Sequence, residues 1–369
     1  MLAVEQARGI NKGTPIVTKI DKASAPSRFE DRSIDLDGAS LMITGGTGSF
    51  GRKLARVLLD RYRPRRVVVY SRDEAKQVDM AQDFAALPNS AALRFFIGDV
   101  RDQPRLKLAM RDIDHVIHAA ALKHVPVAEY NPMECVHTNI LGAENVVYAA
   151  LENRVKKVIA LSTDKAVNPI NLYGATKLAS DKVFVAANNL SGRIGTQFSV
   201  VRYGNVVGSR GSVVPLFQKL LREGAESLPI TDERMTRFWI TLQEGVDFVL
   251  SNLSRMRGGE IFIPKIPSMK VVDLAKCLAP GLPIRIIGIR PGEKLHEALI
   301  SAEQALDTRE MGDRYVVVPS LGFWERGESD PGMRPVDETF SYTSDNNSDW
   351  LTPEQLAGMV ADSGATALA

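Results

Sequence analysis

Short apolar runs recur through the first two thirds of the chain, separated by stretches with a helical period. Leu41-Met42-Ile43 is the first run and Val67-Val68-Val69-Tyr70 the second. Residues 94–97, 115–118, 157–161 and 198–202 repeat the theme. Between them, residues 52–62, 73–84, 129–151 and 173–189 carry apolar positions at helical spacing. Strands that are apolar on both faces belong to a parallel sheet covered by helices on either side. Right-handed crossovers then predict an α/β fold with a doubly wound parallel sheet over residues 39–204. Past Gly204 the rhythm loosens, with glycine and proline punctuating residues 208–211, 264–267 and 290–292. That predicts a smaller C-terminal lobe over 205–369, interleaved with the last core strands, at the carboxyl edge where open α/β sheets bind ligands. Residues 1–38 are polar, mixed in charge and aperiodic, and are expected to be a poorly ordered extension.

Composition narrows the function classes. Lys plus Arg total 46 against 44 for Asp plus Glu, a net charge of +2. Charge this balanced offers no whole-protein field for nucleic acid or an anionic membrane, and neither is expected as a partner. No apolar run of about 18 residues is present, so no transmembrane helix is expected. The N-terminus lacks the apolar core of a secretory signal, and the two cysteines, Cys135 and Cys277, form no CxxC pair. These point to a cytoplasmic protein with reduced thiols. Five scattered histidines without an HExxH pair give no reason to expect a bound metal.

The candidate chemistry sits where the predicted strands end. Thr44-Gly45-Gly46-Thr47-Gly48-Ser49-Phe50-Gly51 closes the first strand and opens a helix. Gly45, Gly48 and Gly51 let the backbone approach a pyrophosphate, and the helix start presents N–H groups to it. With a strand before and a helix after, this predicts a Rossmann-like dinucleotide site that includes Thr47, Ser49 and Phe50. About 20 residues after Gly51, where a carboxylate would hold an NAD ribose, stand Ser71 and Arg72. A serine and an arginine suit a 2′-phosphate, so NADP is expected, with Lys76 adding a second cation. A solvated loop arginine is the plainer alternative. Asp99 and Val100 follow the third strand and face the adenine, and Ala119, Ala120 and Ala121 follow the fourth and leave room for the ribose linkage.

The fifth strand ends in Thr163-Asp164-Lys165, and Tyr173 and Lys177 follow at a spacing that puts them on one helix face. An ammonium beside a phenol favours the phenolate, so Lys177 is expected to lower the Tyr173 pKa from about 10. Such a tyrosine removes a sugar hydroxyl proton while hydride leaves for the nicotinamide. Asp164 and Lys165 add an acid and a base, as an elimination of water requires. Lys165 is expected to be partly neutral in the closed site. A surface ion pair in a loop is the alternative reading of Asp164 and Lys165.

Together the glycine turn and the Tyr173–Lys177 pair resemble the extended short-chain dehydrogenase/reductase family. Thr163-Asp164-Lys165-Ala166-Val167-Asn168-Pro169, leading into Tyr173-Gly174-Ala175-Thr176-Lys177, is similar to the soluble, inverting UDP-N-acetylglucosamine 4,6-dehydratases. The likeness runs from about residue 40 to 350 and takes in Arg290-Pro291-Gly292-Glu293-Lys294. The membrane-anchored, retaining relatives usually carry Met at the place of Tyr173. The resemblance implies a UDP-sugar substrate and C5 proton exchange by Lys165, with Asp164 assisting loss of the C6 hydroxyl. It implies Tyr173 and Lys177 for hydride transfer and the nicotinamide ribose, and Lys123 at the active-site ligands. Substrate contacts are implied for Thr163, Asn205, Arg290 at the diphosphate and Glu293 near the uridine ribose. A homo-oligomer, a hexamer among the options, is also implied.

Two rival readings stay open at this point. A nucleotide-sugar 4-epimerase uses the same fold, cofactor and tyrosine but needs no elimination pair. A non-catalytic NADP-sensing scaffold shares the fold but needs neither Tyr173 nor Lys177. Among dehydratases, UDP-glucose and dTDP-glucose are alternative substrates.

Overall fold

The computed structural model describes residues 27–31, 33–209, 211–320, 324 and 332–362. Five apolar or small residues, Ser40–Thr44, form β1, and all five are buried. It lies inside a ten-stranded sheet, third from one edge, with neighbours on both sides and both faces covered, which is why both its faces are apolar. α1 (Ser49–Arg61) and β2 (Arg66–Ser71) follow, then α2 (Glu74–Phe84), β3 (Leu93–Ile97), α3 (Gln103–Ala109) and β4 (His115–His118). β1 pairs in parallel with β2 on one side and β4 on the other, Ile43 standing opposite both Val69 and Ile117. The chain order reverses there, which opens a crevice at the strand ends. β5 (Lys157–Thr163), α7 (Leu172–Ala186) and β6 (Gln197–Tyr203) extend the parallel half to the order β3-β2-β1-β4-β5-β6. The doubly wound expectation therefore holds across this region.

The structure corrects two details. Residues 129–151, expected as one helix, are divided into α4 (Val125–Tyr130), α5 (Pro132–Val136), a π-helical turn (His137–Leu141) and α6 (Gly142–Glu152). Pro132 cannot continue a helix from upstream and starts a new one. The π-turn re-aims Asn139, whose amide clamps Leu122 through both its N–H and its carbonyl at 2.9 Å. The second detail is the extension expected over 1–38. Residues 1–26 lie outside the described residues, but Phe29 and Leu36 are only 2% and 3% exposed. Phe29 packs edge-on against Phe248, and the Ser27 hydroxyl donates to Asp247 at 2.7 Å. Two isolated apolar anchors dock this segment, and isolated anchors produce no period in the sequence.

After Gly204 the chain serves two places. Ile261–Pro264 joins β6 in parallel, and Arg314–Val317, Thr308–Met311 and Arg334–Pro335 add an antiparallel edge. The remainder builds a lobe over the strand ends with its own core of Val214, Phe217, Trp239, Leu274 and Leu356. Burying each such side chain contributes about 1.5–3 kcal/mol. Among the described residues, no helix is long and apolar enough to cross a membrane.

Candidate active site

A cavity of about 1050 Å³ runs between the strand ends and the lobe. At one end the 45–51 turn is shaped for close approach. Gly45 has φ +67°, and a Cβ there would stand 2.8 Å from the Ala120 nitrogen. Only glycine fits that cradle without a shift. α1 starts after Gly48 with no side-chain cap, whereas Asp73, Asp102 and Asn171 cap α2, α3 and α7. The uncapped N–H groups of α1 face the cavity, as an anion requires. Thr47, Ser49, Phe50, Val100 and the Ala119–Ala121 segment line the same end. This cradle fits a dinucleotide.

Ser71, Arg72, Lys76 and Asp99 also line it. The half-exposed Arg72 guanidinium lies 3.5 Å from Asp99, and Lys76 is paired with Asp73. Arg101, which sequence reasoning did not single out, holds Asp99 through two hydrogen bonds of 2.9 and 2.7 Å. Guanidinium contacts hold the Asp99 carboxyl below its usual range against the opposing effect of burial.

The acid–base turn forms a short 3₁₀ segment, Asp164–Ala166, laid against the start of α7. Gly174 permits this: a Cβ there would fall 2.1 Å from the Lys165 carbonyl oxygen. Asn171 caps α7 through Gly174 N–H at 2.8 Å and donates to the Gly292 carbonyl at 2.8 Å. One side chain thus ties α7 to the loop carrying Arg290 and Glu293.

Of the four expected catalytic residues, Lys165, Tyr173 and Lys177 line the cavity and Asp164 does not. Asp164 is 0% exposed and reaches the cavity through two neighbours. Thr163 donates to its Oδ1 at 2.8 Å, and the Lys165 ammonium lies 3.1 Å from the same atom. Burial raises the Asp164 carboxyl above its ordinary range, and its Oδ2 has no hydrogen-bond partner.

Two expectations about charge are overturned. Burial by itself lowers Lys165, but Asp164 and Glu297 reverse this and hold it ionised above the ordinary lysine range. The expected partly neutral amine is therefore absent from the resting site. Tyr173 is pushed up to about 12, chiefly by burial, with Lys165 and a Thr163 hydrogen bond pulling the other way. Lys177 was expected to supply that pull. It instead feels Asp181 and Cys135, and burial lowers it.

Lys123 and Asn205 line the cavity, as do Arg290 and Glu293. Glu293 holds the Arg290 guanidinium at Nε and Nη2, at 3.1 and 2.9 Å. Sequence reasoning missed Glu297 and Arg237, and gave Lys294, quoted within the 290–294 stretch, no role. They gather round Lys165 from strands and loops far along the chain, and no local motif marks Glu297 or Arg237.

Comparison with known proteins bears on this geometry. A family model described as "Polysaccharide biosynthesis protein" matches residues 41–319. The chain is 60% identical over 328 residues to a UDP-N-acetylglucosamine 4,6-dehydratase (inverting) of Campylobacter jejuni, covering 87% of this chain and 97% of the relative. It is 45% identical over 287 residues to a UDP-glucose 4-epimerase of Rickettsia akari, covering 75% and 82%. The X-ray structure of Pen from Bacillus thuringiensis superposes with a TM-score of 0.82 at 34% identity, covering 90% of this chain and all of that one. DesIV, a dTDP-glucose 4,6-dehydratase from Streptomyces venezuelae with NAD and TYD bound, gives 0.59 at 25% identity, covering 69% and 86%. Since the family match spans the glycine turn, the 163–165 turn and α7 alike, this chain belongs to the polysaccharide biosynthesis protein family.

Proposed function

We propose that this chain is a cytoplasmic, homo-oligomeric hydro-lyase. It dehydrates UDP-N-acetylglucosamine with inversion at C5, giving UDP-2-acetamido-2,6-dideoxy-β-L-arabino-hexos-4-ulose with the help of NADP. The observation that carries the reading is the convergence of an ammonium and a phenol, Lys165 and Tyr173, backed by the buried acid Asp164, at the cavity that also holds the dinucleotide cradle. The identity to the Campylobacter jejuni dehydratase supports the substrate and the stereochemistry.

A nicotinamide held by the 45–51 turn, Tyr173 and Lys177 would supply the hydride chemistry at C4 and C6 of the sugar. The protein moves the protons. Tyr173 takes the C4 hydroxyl proton, and the Lys165 charge beside it offsets part of the burial that keeps it a phenol. A ketone at C4 acidifies C5–H, and Lys165 exchanges that proton. Asp164, whose carboxyl burial raises, assists departure of the C6 hydroxyl as water by accepting from Thr163 and Lys165, which face the cavity and deliver the proton. Lys177 and Lys123 hold the cofactor and ligand end. Asn205 contacts the sugar, Arg290 the diphosphate and Glu293 the uridine ribose. Arg72 and Lys76 favour the 2′-phosphate of NADP over NAD.

The likeness to the Rickettsia akari epimerase favours a second reading, 4-epimerisation. Product mass separates the two. After incubation with UDP-N-acetylglucosamine, the dehydratase reading expects a product lighter by one water, and a product of unchanged mass supports the epimerase.

A further inference from the structure

Glu297 precedes the strand Ala298–Ile300, far from the acid–base turn in sequence. Its backbone is fixed on both sides by Ser344, through Oγ at 2.9 Å and N–H at 2.8 Å. Its side chain is only 2% exposed, yet borders the cavity. Glu297 Oε1 lies 3.0 Å from the Lys165 ammonium, which also lies 3.1 Å from Asp164 Oδ1.

The groups facing this carboxylate come from three elements. Asp164 and Lys165 belong to the 3₁₀ turn. Arg237, on the strand Thr236–Ile240, places Nε 3.8 Å from Oε1, and Lys294, in the preceding loop, lies 3.9 Å from Oε2. Glu293 stands behind Arg237 at 3.8 Å. Oε2 itself makes no hydrogen bond. A buried carboxylate is costly unless cations surround it, and three do so here.

The geometry points to Glu297 as a positioning residue of the acid–base centre, holding the Lys165 side chain at the cavity wall and against Asp164. The inference rests on the proposed role of Lys165. It deepens that role: the C-terminal lobe, not the catalytic helix, completes the centre. The cations overcome burial and hold the Glu297 carboxyl below its usual range, while burial, with Glu297 adding to it, raises the Asp164 carboxyl against the pull of Lys165. Two carboxyls on one ammonium are thereby shifted in opposite directions. For Lys165 to accept the C5 proton, it first releases its own, and Glu297 sets the pH at which that happens.

The test follows deuterium entry at C5 of UDP-N-acetylglucosamine in deuterium oxide across pH, using the holoenzyme. Wild type is compared with Glu297→Gln, Glu297→Asp and Lys165→Met. The glutamine variant is expected to keep KM within about threefold and lose about tenfold in kcat. Its rise in C5 exchange with pH shifts down by a unit or more, because an ammonium without its anion gives up its proton more readily. The aspartate variant keeps the charge, so its profile stays at the wild-type pH while kcat falls severalfold from the shorter reach. An unshifted profile in Glu297→Gln overturns the proposal. If that variant fails to retain cofactor or fold, Glu297→Asp decides, and wild-type kcat in it overturns the proposal. Lys165→Met separates the two levels of the argument: if it still exchanges C5 at the wild-type rate, the role of Lys165 itself is wrong.

Discussion

At the cofactor end of the cavity, the turn from Gly45 to Gly51 is built almost wholly from neighbours in sequence: one strand end, one uncapped helix start and the Ala120 backbone it meets. At the other end, Lys165 contacts Asp164 next to it, but also Glu297, with Arg237 and Lys294 close behind. The first end is backbone shape, and its fit depends on an absent Cβ. The second end is charge balance among buried side chains, and its state depends on every partner. A cradle of this kind tolerates distant change and fails on local change. A buried ion cluster responds to substitutions in either lobe.

The sharpest way to break this comparison is to put a backbone constraint at the charge-balanced end. Gly174→Ala places a Cβ against the Lys165 carbonyl, so the acid–base turn must shift. Turnover is expected to fall roughly 100-fold, as about 1 Å of misplacement costs, while bound cofactor is retained. Steady-state kinetics and the cofactor content of the purified protein check it. Loss of cofactor with intact turnover chemistry would contradict the separation of the two ends.

A smaller effect probes charge at the cofactor end. Arg72→Ala is expected to weaken NADP binding about tenfold to 100-fold, the worth of a hydrogen bond to a charged group, and to leave NAD binding unchanged. Competition titration of the two nucleotides measures this. An equal loss for both would assign Arg72 to the loop rather than to the 2′-phosphate.

The smallest expected effect lies between the two ends. His118 is fully buried, hydrogen-bonded to Thr44 at 2.8 Å, and held neutral down to about 3, first by burial and then by Lys177. Its folded pKa lies below the unfolded value of about 6.5. The stability it contributes is therefore complete above pH 6.5 and is lost as pH falls from there towards 3. The slope is at most about 1.4 kcal/mol per pH unit for one group. Burial also holds the neighbouring His115 down, to about 4, so His118→Asn should remove only part of the acid destabilisation in denaturant unfolding between pH 7 and 4. An identical acid slope in the variant would mean His118 is not buried neutral.

Legibility in the sequence followed the same division. Strand runs, the glycine turn, Ser71-Arg72 and the Tyr173–Lys177 spacing all rest on contacts between residues close in the chain, and the structure brings each of them to one cavity. The charge state of Lys165 did not follow, because it depends on Glu297, which no spacing connects to residue 165. The expected effect of Lys177 on Tyr173 failed for a related reason: four residues on one helix face set proximity, while burial and Asp181 decided the electrostatics. The break at Pro132 was readable from the proline alone. The π-turn that aims Asn139 at Leu122 was not, since its purpose lies in a loop on another element.

Incubating the enzyme with UDP-N-acetylglucosamine in deuterium oxide and examining the product by mass spectrometry and NMR tests the central claim most directly. The account expects loss of one water and a single deuterium at C5 of an L-configured 4-keto sugar. A product that keeps all its oxygen atoms, or one dehydrated with protium still at C5, would contradict it.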